Sequence, residues 1–209
     1  MSNLLIVESQ NDKYFIEALI NHLNLNIEVG SPVCSIDEYE CLGGIGKLEE
    51  KLNALKGRVA KEGIETVGII FDADKKGIEK QRKDIQEKID LVFGKDSAIE
   101  FKIYIMNVEG YGELETVLKL IHLKDSTVAD CLESWQECLP DDKKLNQKEF
   151  DKFWVQIYQR YDHCSKKEAK QAGKKCNNEV SLKNKKIWNF NHPTLNDLKK
   201  FLKEIGEEI

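Results

Sequence analysis

The stretch that most constrains this chain is Val67–Phe71, an unbroken apolar run (Val, Gly, Ile, Ile, Phe) with charge on both sides. An apolar run of that length reads as a strand covered on both faces, which is the condition of a parallel sheet with helices above and below it. The run ends in Asp72-Ala73-Asp74. Residues i and i+2 of a strand share a face, so the two carboxylates converge where the chain leaves the sheet. Two close anions repel each other unless a cation or a hydrogen-bond donor lies between them.

The neighbouring segments supply the rest of such a sheet. Asn3–Val7 reads as a strand, and 13–23 places Phe15, Ile16, Leu19, Ile20 and Leu23 on one helical face, with Asn11 or Asp12 as its N-cap. Residues 25–29 alternate as a short strand stopped by Gly30, Ser31 and Pro32. The spacing of Leu48, Leu52, Leu55 and Val59 predicts a helix over 45–63, and a charged amphipathic helix is expected from Gly77 to Phe93. Residues 100–106 alternate again, and 113–123 is helical. Strands separated by helices imply right-handed crossovers and a mainly parallel sheet with helices on both faces, an α/β, Rossmann-like class.

After residue 124 the pattern becomes helical. Residues 126–139, 147–161 and 194–205 read as amphipathic helices, the last capped by Thr194. The expected division is therefore 1–124 as the α/β part and 125–209 as a helical extension packed on it. The aromatics Phe150, Phe153, Trp154 and Tyr158, with Ile157, recur at helical spacing, which favours core packing over base stacking.

Ligands of open α/β sheets gather beyond the carboxyl ends of the strands. Glu8, the Asp72/Asp74 pair and Glu115 all fall just after expected strands, so the fold would bring these acids to one edge. Hard oxygen donors grouped in this way suit Mg²⁺ or Mn²⁺, which accept a few carboxylates together with substrate phosphate. Taken singly, each acid reads equally well as a helix cap or a turn residue.

Charge distribution adds one feature. The net charge is −5, yet residues 165–186 hold eight lysines against Glu168 and Glu179, about +6, leaving about −11 on the rest. Lys166, Lys167, Lys170, Lys174 and Lys175 could meet phosphate locally, or form a solvated loop. No apolar run reaches the length of a membrane span, and the start of the chain lacks a basic leader, so a cytoplasmic protein is expected. The six cysteines then read as free thiols, with Cys131 and Cys138 as packing residues on one helical face. His163, Cys164 and Cys176 offer a weaker zinc alternative. The glycine-rich 42–46 lacks the Lys-Ser/Thr of a phosphate-binding loop and reads as a tight helix start.

The segments LLIVESQND and GIIFDAD resemble the Toprim domain, which topoisomerases, bacterial-type primases, recombination-repair proteins and OLD-family nucleases share. Its pattern is a Glu after the first strand and Asp-x-Asp after a later one, which Glu8, Asp72 and Asp74 match. The resemblance implies an acid/base or metal role for Glu8 and Mg²⁺ coordination by the Asp pair. Asp12 lies four residues after Glu8, as in the Toprim form Glu-Gly-x-x-Asp. Ser9 departs from that form, which has Gly. CLGGIGKLEEKL, GYGELETVL and the tail IWNFNHPTLNDLKKFL further resemble a small Toprim-like prokaryotic subgroup of this length, adding Gly112, Leu114 and Glu115 as a Gly-x-Leu-Glu element.

The function so implied is Mg²⁺-dependent phosphodiester cleavage by a small nuclease acting on DNA or RNA, in nucleic-acid processing or phage defence. The chain has no room for the additional modules of a topoisomerase or a primase. The alternative is a non-catalytic module that binds a nucleotide or nucleic acid and regulates a partner protein. An ATPase encoded elsewhere and a second copy of the chain are the protein partners expected.

Overall fold

The computed structural model describes residues 2–34, 44–123, 125–170 and 177–208. Its frame is a four-stranded, all-parallel sheet built from β1 (Ser2–Val7), β3 (Glu28–Val29), β4 (Ile64–Asp72) and β5 (Glu100–Met106), in the order β3-β1-β4-β5. Val7 lies opposite Ile70, and Asp72 opposite Met106. The central strand β4 is the apolar run of the sequence, and it has a partner on each edge.

Strand alternation divides the apolar residues between two cores. On one face, Leu4, Ile6, Val67, Ile69 and Phe71 pack with Leu48, Leu52 and Leu55 of α2 (Gly44–Glu62) and with Ile85, Ile89 and Val92 of α3 (Ile78–Phe93). On the other face, Leu5, Val7 and Ile70 meet α1 (Gln10–Leu23), α4 (Leu114–Ile121) and the C-terminal helices. Chain direction accounts for this arrangement. The crossover through α1 runs from β1 to β3, whereas those through α2 and α3 run the opposite way across the sheet. Right-handed connections in opposite directions must use opposite faces.

The helices after residue 124 belong to the same core. α6 (Gln147–Ile157) contributes Phe150, Trp154 and Val155, α8 (Asn178–Leu182) contributes Leu182, and α9 (Asn196–Ile205) contributes Leu198, Phe201, Leu202 and Ile205. A Cβ at Gly68 would lie 2.4 Å from both Ile205 Cδ1 and Leu5 Cδ2, so the bare backbone of β4 lets α9 settle against the sheet. Phe150 and Trp154 of α6, with Tyr158 just beyond it, are core residues. Trp154 and Tyr158 are fully buried and stacked, with ring centroids 4.9 Å apart, whereas Phe153 is half-buried against Trp135. A small antiparallel pair, β2 (Leu25–Asn26) with β6 (Glu207–Glu208), ties the end of the chain beside β1.

Several local expectations are corrected. Residues 25–29 break into two strands that enter different sheets. The helix expected over 126–139 begins at Cys131, as α5 (Cys131–Cys138). Its first turn is displaced because Asp162 collects the hydroxyls of Ser126 and Thr127 and the N–H groups of Val128 and Ala129. The 147–161 helix leaves α-geometry after Ile157 for a π-helical turn, Tyr158–His163. Thr194 is not a cap; it lies in a 3₁₀ turn, Pro193–Leu195, whose His192 side chain accepts from the Thr194 N–H. Cys131 and Cys138 are free but exposed rather than packed, because α5 buries no residue. Cys34 and Cys164 are disulfide-bonded, so the expectation of free thiols fails for them, and Cys164 has no thiolate for zinc. Among the described residues no helix is long and apolar enough to cross a membrane.

Candidate acid site at the sheet edge

The sheet reverses its order of construction between β1 and β4. From β1 the chain moves outward to β3, then returns past β1 to build β4 and β5 on the other side. Carboxyl ends of strands splay apart at such a switch point and leave a crevice. Glu8 leaves β1 and Asp72 ends β4, so these two acids flank that crevice. The Asp72 N–H donates to Glu8 Oε2 at 3.4 Å.

Glu8 also meets the first turn of α2. A Cβ at Gly44 would lie 2.3 Å from Glu8 Oε1, so glycine is what lets the helix start so close to the carboxylate. Burial, then Asp12 and Asp74, pushes the Glu8 carboxyl up to about 7, while the Asp72 N–H and Lys148 pull against that shift. Asp72 is raised well above the ordinary carboxylate range by burial and then by Asp12, Glu8, Glu115 and Glu113. Burial raises Glu115 to about 7 as well, against the pull of Lys152.

Asp12 is buried and has a local role. Ser9, not Asn11 or Asp12, is the N-cap of α1: its hydroxyl accepts from the Asp12 N–H at 3.2 Å, and Asp12 Oδ2 accepts from the Ser9 N–H at 2.8 Å. This reciprocal capping box gives the serine at position 9 a structural reason. Burial still raises the Asp12 carboxyl to about 6, with the two Ser9 bonds opposing.

Asp74 stands on the next loop, beyond the end of β4 at Asp72, so the strand alternation expected to make the two carboxylates converge does not extend to it. Its backbone is left-handed, φ 49°, a conformation Asp tolerates better than most residues. Its N–H donates to Gly112 O at 3.0 Å, and Gly112 N–H returns a bond at 3.4 Å, so the loops after β4 and β5 are stitched together. Gly112 needs its φ of 98°, and a Cβ there would also press on Thr116. The Asp74 carboxylate turns to Lys148 on α6, whose Nζ donates to Asp74 Oδ1 at 2.8 Å and lies 3.1 Å from Glu113 Oε2. Lys152, one helical turn on, lies 3.2 Å from the same Glu113 oxygen. Glu113 is buried, and its Oε1 has no hydrogen-bond partner among the described residues.

Glu8, Asp72, Asp74, Asp12 and Glu115 thus all lie on one edge, with Leu114 in the core beneath. Sequence reading missed Glu113, Lys148 and Lys152. The one signal for the lysines was their i, i+4 spacing on a helix whose apolar face is elsewhere. Of the lysine-rich segment, Lys166 and Lys167 are exposed on the short α7 (Lys166–Ala169), and Lys170 follows, exposed. Lys174 and Lys175 lie outside the described residues, as do 41–43 of the glycine-rich landmark. Lys183 is engaged by Glu17 and Glu179.

The donors are all hard oxygens, and one buried carboxylate oxygen is unsatisfied, so their chemistry fits a divalent cation such as Mg²⁺. In this conformation Lys148 holds the position between Asp74 and Glu113. Among the described residues no group of three or more acids, histidines or cysteines is gathered closely enough to hold a metal ion.

Beside this edge opens a cleft of about 450 Å³, bounded by Asp74, Lys75, Val108, Tyr111, Gly112, Glu113, Thr116 and the start of α6 at 146–148. No curated protein and no solved structure matches the chain. One family model does, over residues 2–207, and the chain belongs to that family, described as a protein of unknown function (DUF3226).

Proposed function

We propose that this protein is a Toprim-type, Mg²⁺-dependent phosphodiester-cleaving enzyme acting on DNA or RNA in the cytoplasm. The observation that carries the reading is the position of Glu8 and Asp72 at the carboxyl ends of adjacent parallel strands, flanking the switch point of the sheet. Glu8, Asp72 and Asp74 would hold the cation only after Lys148 releases Asp74 and the three carboxylates draw closer than they stand here. When bound, the cation would polarise a phosphodiester and favour a water nucleophile.

The protein's own groups supply the rest. In the metal-free protein the Glu8 carboxyl is raised to about 7, so near neutral pH it carries a proton that a bound cation would displace. Lys148 and Lys152 bring positive charge to an edge that would otherwise repel a polyanion. Lys166, Lys167 and Lys170, with the rest of that segment, would steer substrate from farther off.

The test is cleavage of single- and double-stranded DNA and RNA with Mg²⁺, Mn²⁺ or EDTA. Cleavage that needs the cation and is lost at least a hundredfold in Glu8→Gln and Asp72→Asn, both still folded by circular dichroism, supports the reading. Cleavage that survives in both variants, or variants that unfold, would show that the acids are not the working groups. A second reading, a non-catalytic nucleotide-binding module that regulates a partner, draws on Lys148 already sitting between Asp74 and Glu113. It predicts nucleotide binding with no cleavage under any cation.

A further inference from the structure

The cleft beside the acid edge is not explained by metal or phosphate chemistry. Much of its wall is apolar, including Val108, and it carries one large exposed aromatic among the described lining residues, Tyr111, which is 62 % exposed. Tyr111 is not on a loose loop. Val108 and Tyr111 exchange backbone hydrogen bonds of 2.7 and 3.1 Å across a two-residue turn, in which Glu109 (φ 53°) and Gly110 (φ 95°) both take positive φ. This is a tight primed turn, and it fixes the backbone that carries the ring at the lip of the cleft. An aromatic held exposed on a rigid tip, beside a cavity of nucleotide size, forms a stacking platform.

The other lip of the cleft carries polar groups suited to the edge of a flat heterocycle. Asn146 spends its carbonyl oxygen capping α6 through the Glu149 N–H, and its NH₂ donates to no group among the described residues. Gln147 donates to Asp151, and its carbonyl accepts from no described residue. Both side chains are exposed at the cleft. Lys75 enters no ion pair among the described residues and stands with Lys148 where the cleft meets Asp74.

We infer that this cleft binds an unpaired nucleobase, stacked on Tyr111 and met at its edge by Asn146 and Gln147, with the attached phosphate directed to Lys75 and the acid edge. The inference rests on the phosphodiester reading for the use of that phosphate, but not for the recognition of the base. The base could belong to a free nucleotide or to the end of a single strand, and the chemistry of the cleft is the same for both. Paired bases are excluded, because the base edge that meets Asn146 and Gln147 must be free of a pairing partner.

The experiment is calorimetric titration of the full chain, with Mg²⁺ present, by adenosine 5′-monophosphate and by ribose 5-phosphate. Adenosine monophosphate should bind about tenfold or more tightly than ribose 5-phosphate. Tyr111→Ala should abolish that difference and Tyr111→Phe should keep it, the exposed position leaving the fold intact in both. Equal binding of the two ligands, or a difference that survives Tyr111→Ala, would overturn the inference. Competition with oligonucleotides identifies the source. Displacement of the mononucleotide by a single strand assigns the cleft to strand ends, and its absence assigns it to free nucleotides, the base cleft standing in both cases. Displacement by a blunt duplex as effectively as by the single strand overturns the requirement for an unpaired base. Both mononucleotide ligands are phosphomonoesters, so these outcomes are read without diester cleavage. Base-selective binding without cleavage removes the diesterase alone, and cleavage without base selectivity removes the base cleft alone.

Discussion

Lys148 is the residue on which the acid edge turns. It is a half-exposed side chain from a helix far along the chain, and it neutralises Asp74 and the buried Glu113 together. Removing Lys148 leaves the buried Glu113 carboxylate with Lys152 alone, a weaker compensation, whereas neutralising the carboxylate as well is less costly. Lys148→Met should therefore cost about 1–2 kcal/mol in urea unfolding of the metal-free protein, and adding Glu113→Gln should recover much of that loss. The same variant should bind Mg²⁺ more tightly, because the lysine competes with the cation for Asp74. Additive losses in the double variant, or an unchanged Mg²⁺ affinity, would show that the lysine is only a surface pair. Ser9 gives a second lesson at this scale. The capping box it forms with Asp12 explains a side chain where the resembling family has glycine, and it ties Asp12 to α1.

Among the elements, the contact between β4 and α9 decides whether the C-terminal helices can cover the sheet. Gly68 sits in the middle of a strand, where glycine weakens pairing unless something must come close. That something is Ile205, with Leu5 beside it, both buried. Gly68→Ala should destabilise the protein by about 1–3 kcal/mol, by pushing α9 outward. Ile205→Val, which removes the Cδ1 atom that the new methyl would meet, should restore part of that loss in the double variant. A neutral Gly68→Ala, measured by thermal unfolding, would show that α9 has room to shift. The same packing shows that a boundary near 124 does not divide the hydrophobic core, since α6, α8 and α9 fill it from the far side.

Across the whole molecule, the carboxylates at the sheet edge set the pH dependence of stability. Glu8 and Glu115 are raised to about 7 and Asp12 to about 6 in the folded protein, from ordinary values near 4. Between those limits the folded state binds more protons than the unfolded one. The stabilisation is then fully present below the unfolded values and is lost as pH rises through 6 and 7. The metal-free protein should lose several kcal/mol, on the order of 6 if the three groups titrate independently, between pH 5 and pH 8, seen as a falling urea midpoint. Mg²⁺ should restore stability at pH 8 and do little at pH 5, where the acids are protonated. A flat or rising profile between these pH values would contradict the crowding of the acids.

What the sequence determined by itself was the frame. The apolar run at 67–71, the period of the helices around it and the acids placed after strands were enough to imply a parallel α/β sheet with Glu8, Asp72 and Asp74 at one edge, because periodicity and strand direction are local properties. Even small features such as Gly77 before α3 were legible for the same reason. The partners of those acids were not. Lys148 meets Asp74 across seventy-four positions, Gly112 pins the Asp74 backbone, and Glu113, two residues before the acid singled out, is the one the lysines reach. Asp162 shortens a helix that begins more than thirty positions earlier. No spacing rule carries such contacts, because they depend on which helices the closed core brings against the sheet edge. Tertiary packing therefore decided which charges face one another, and where the cleft beside Tyr111 opens.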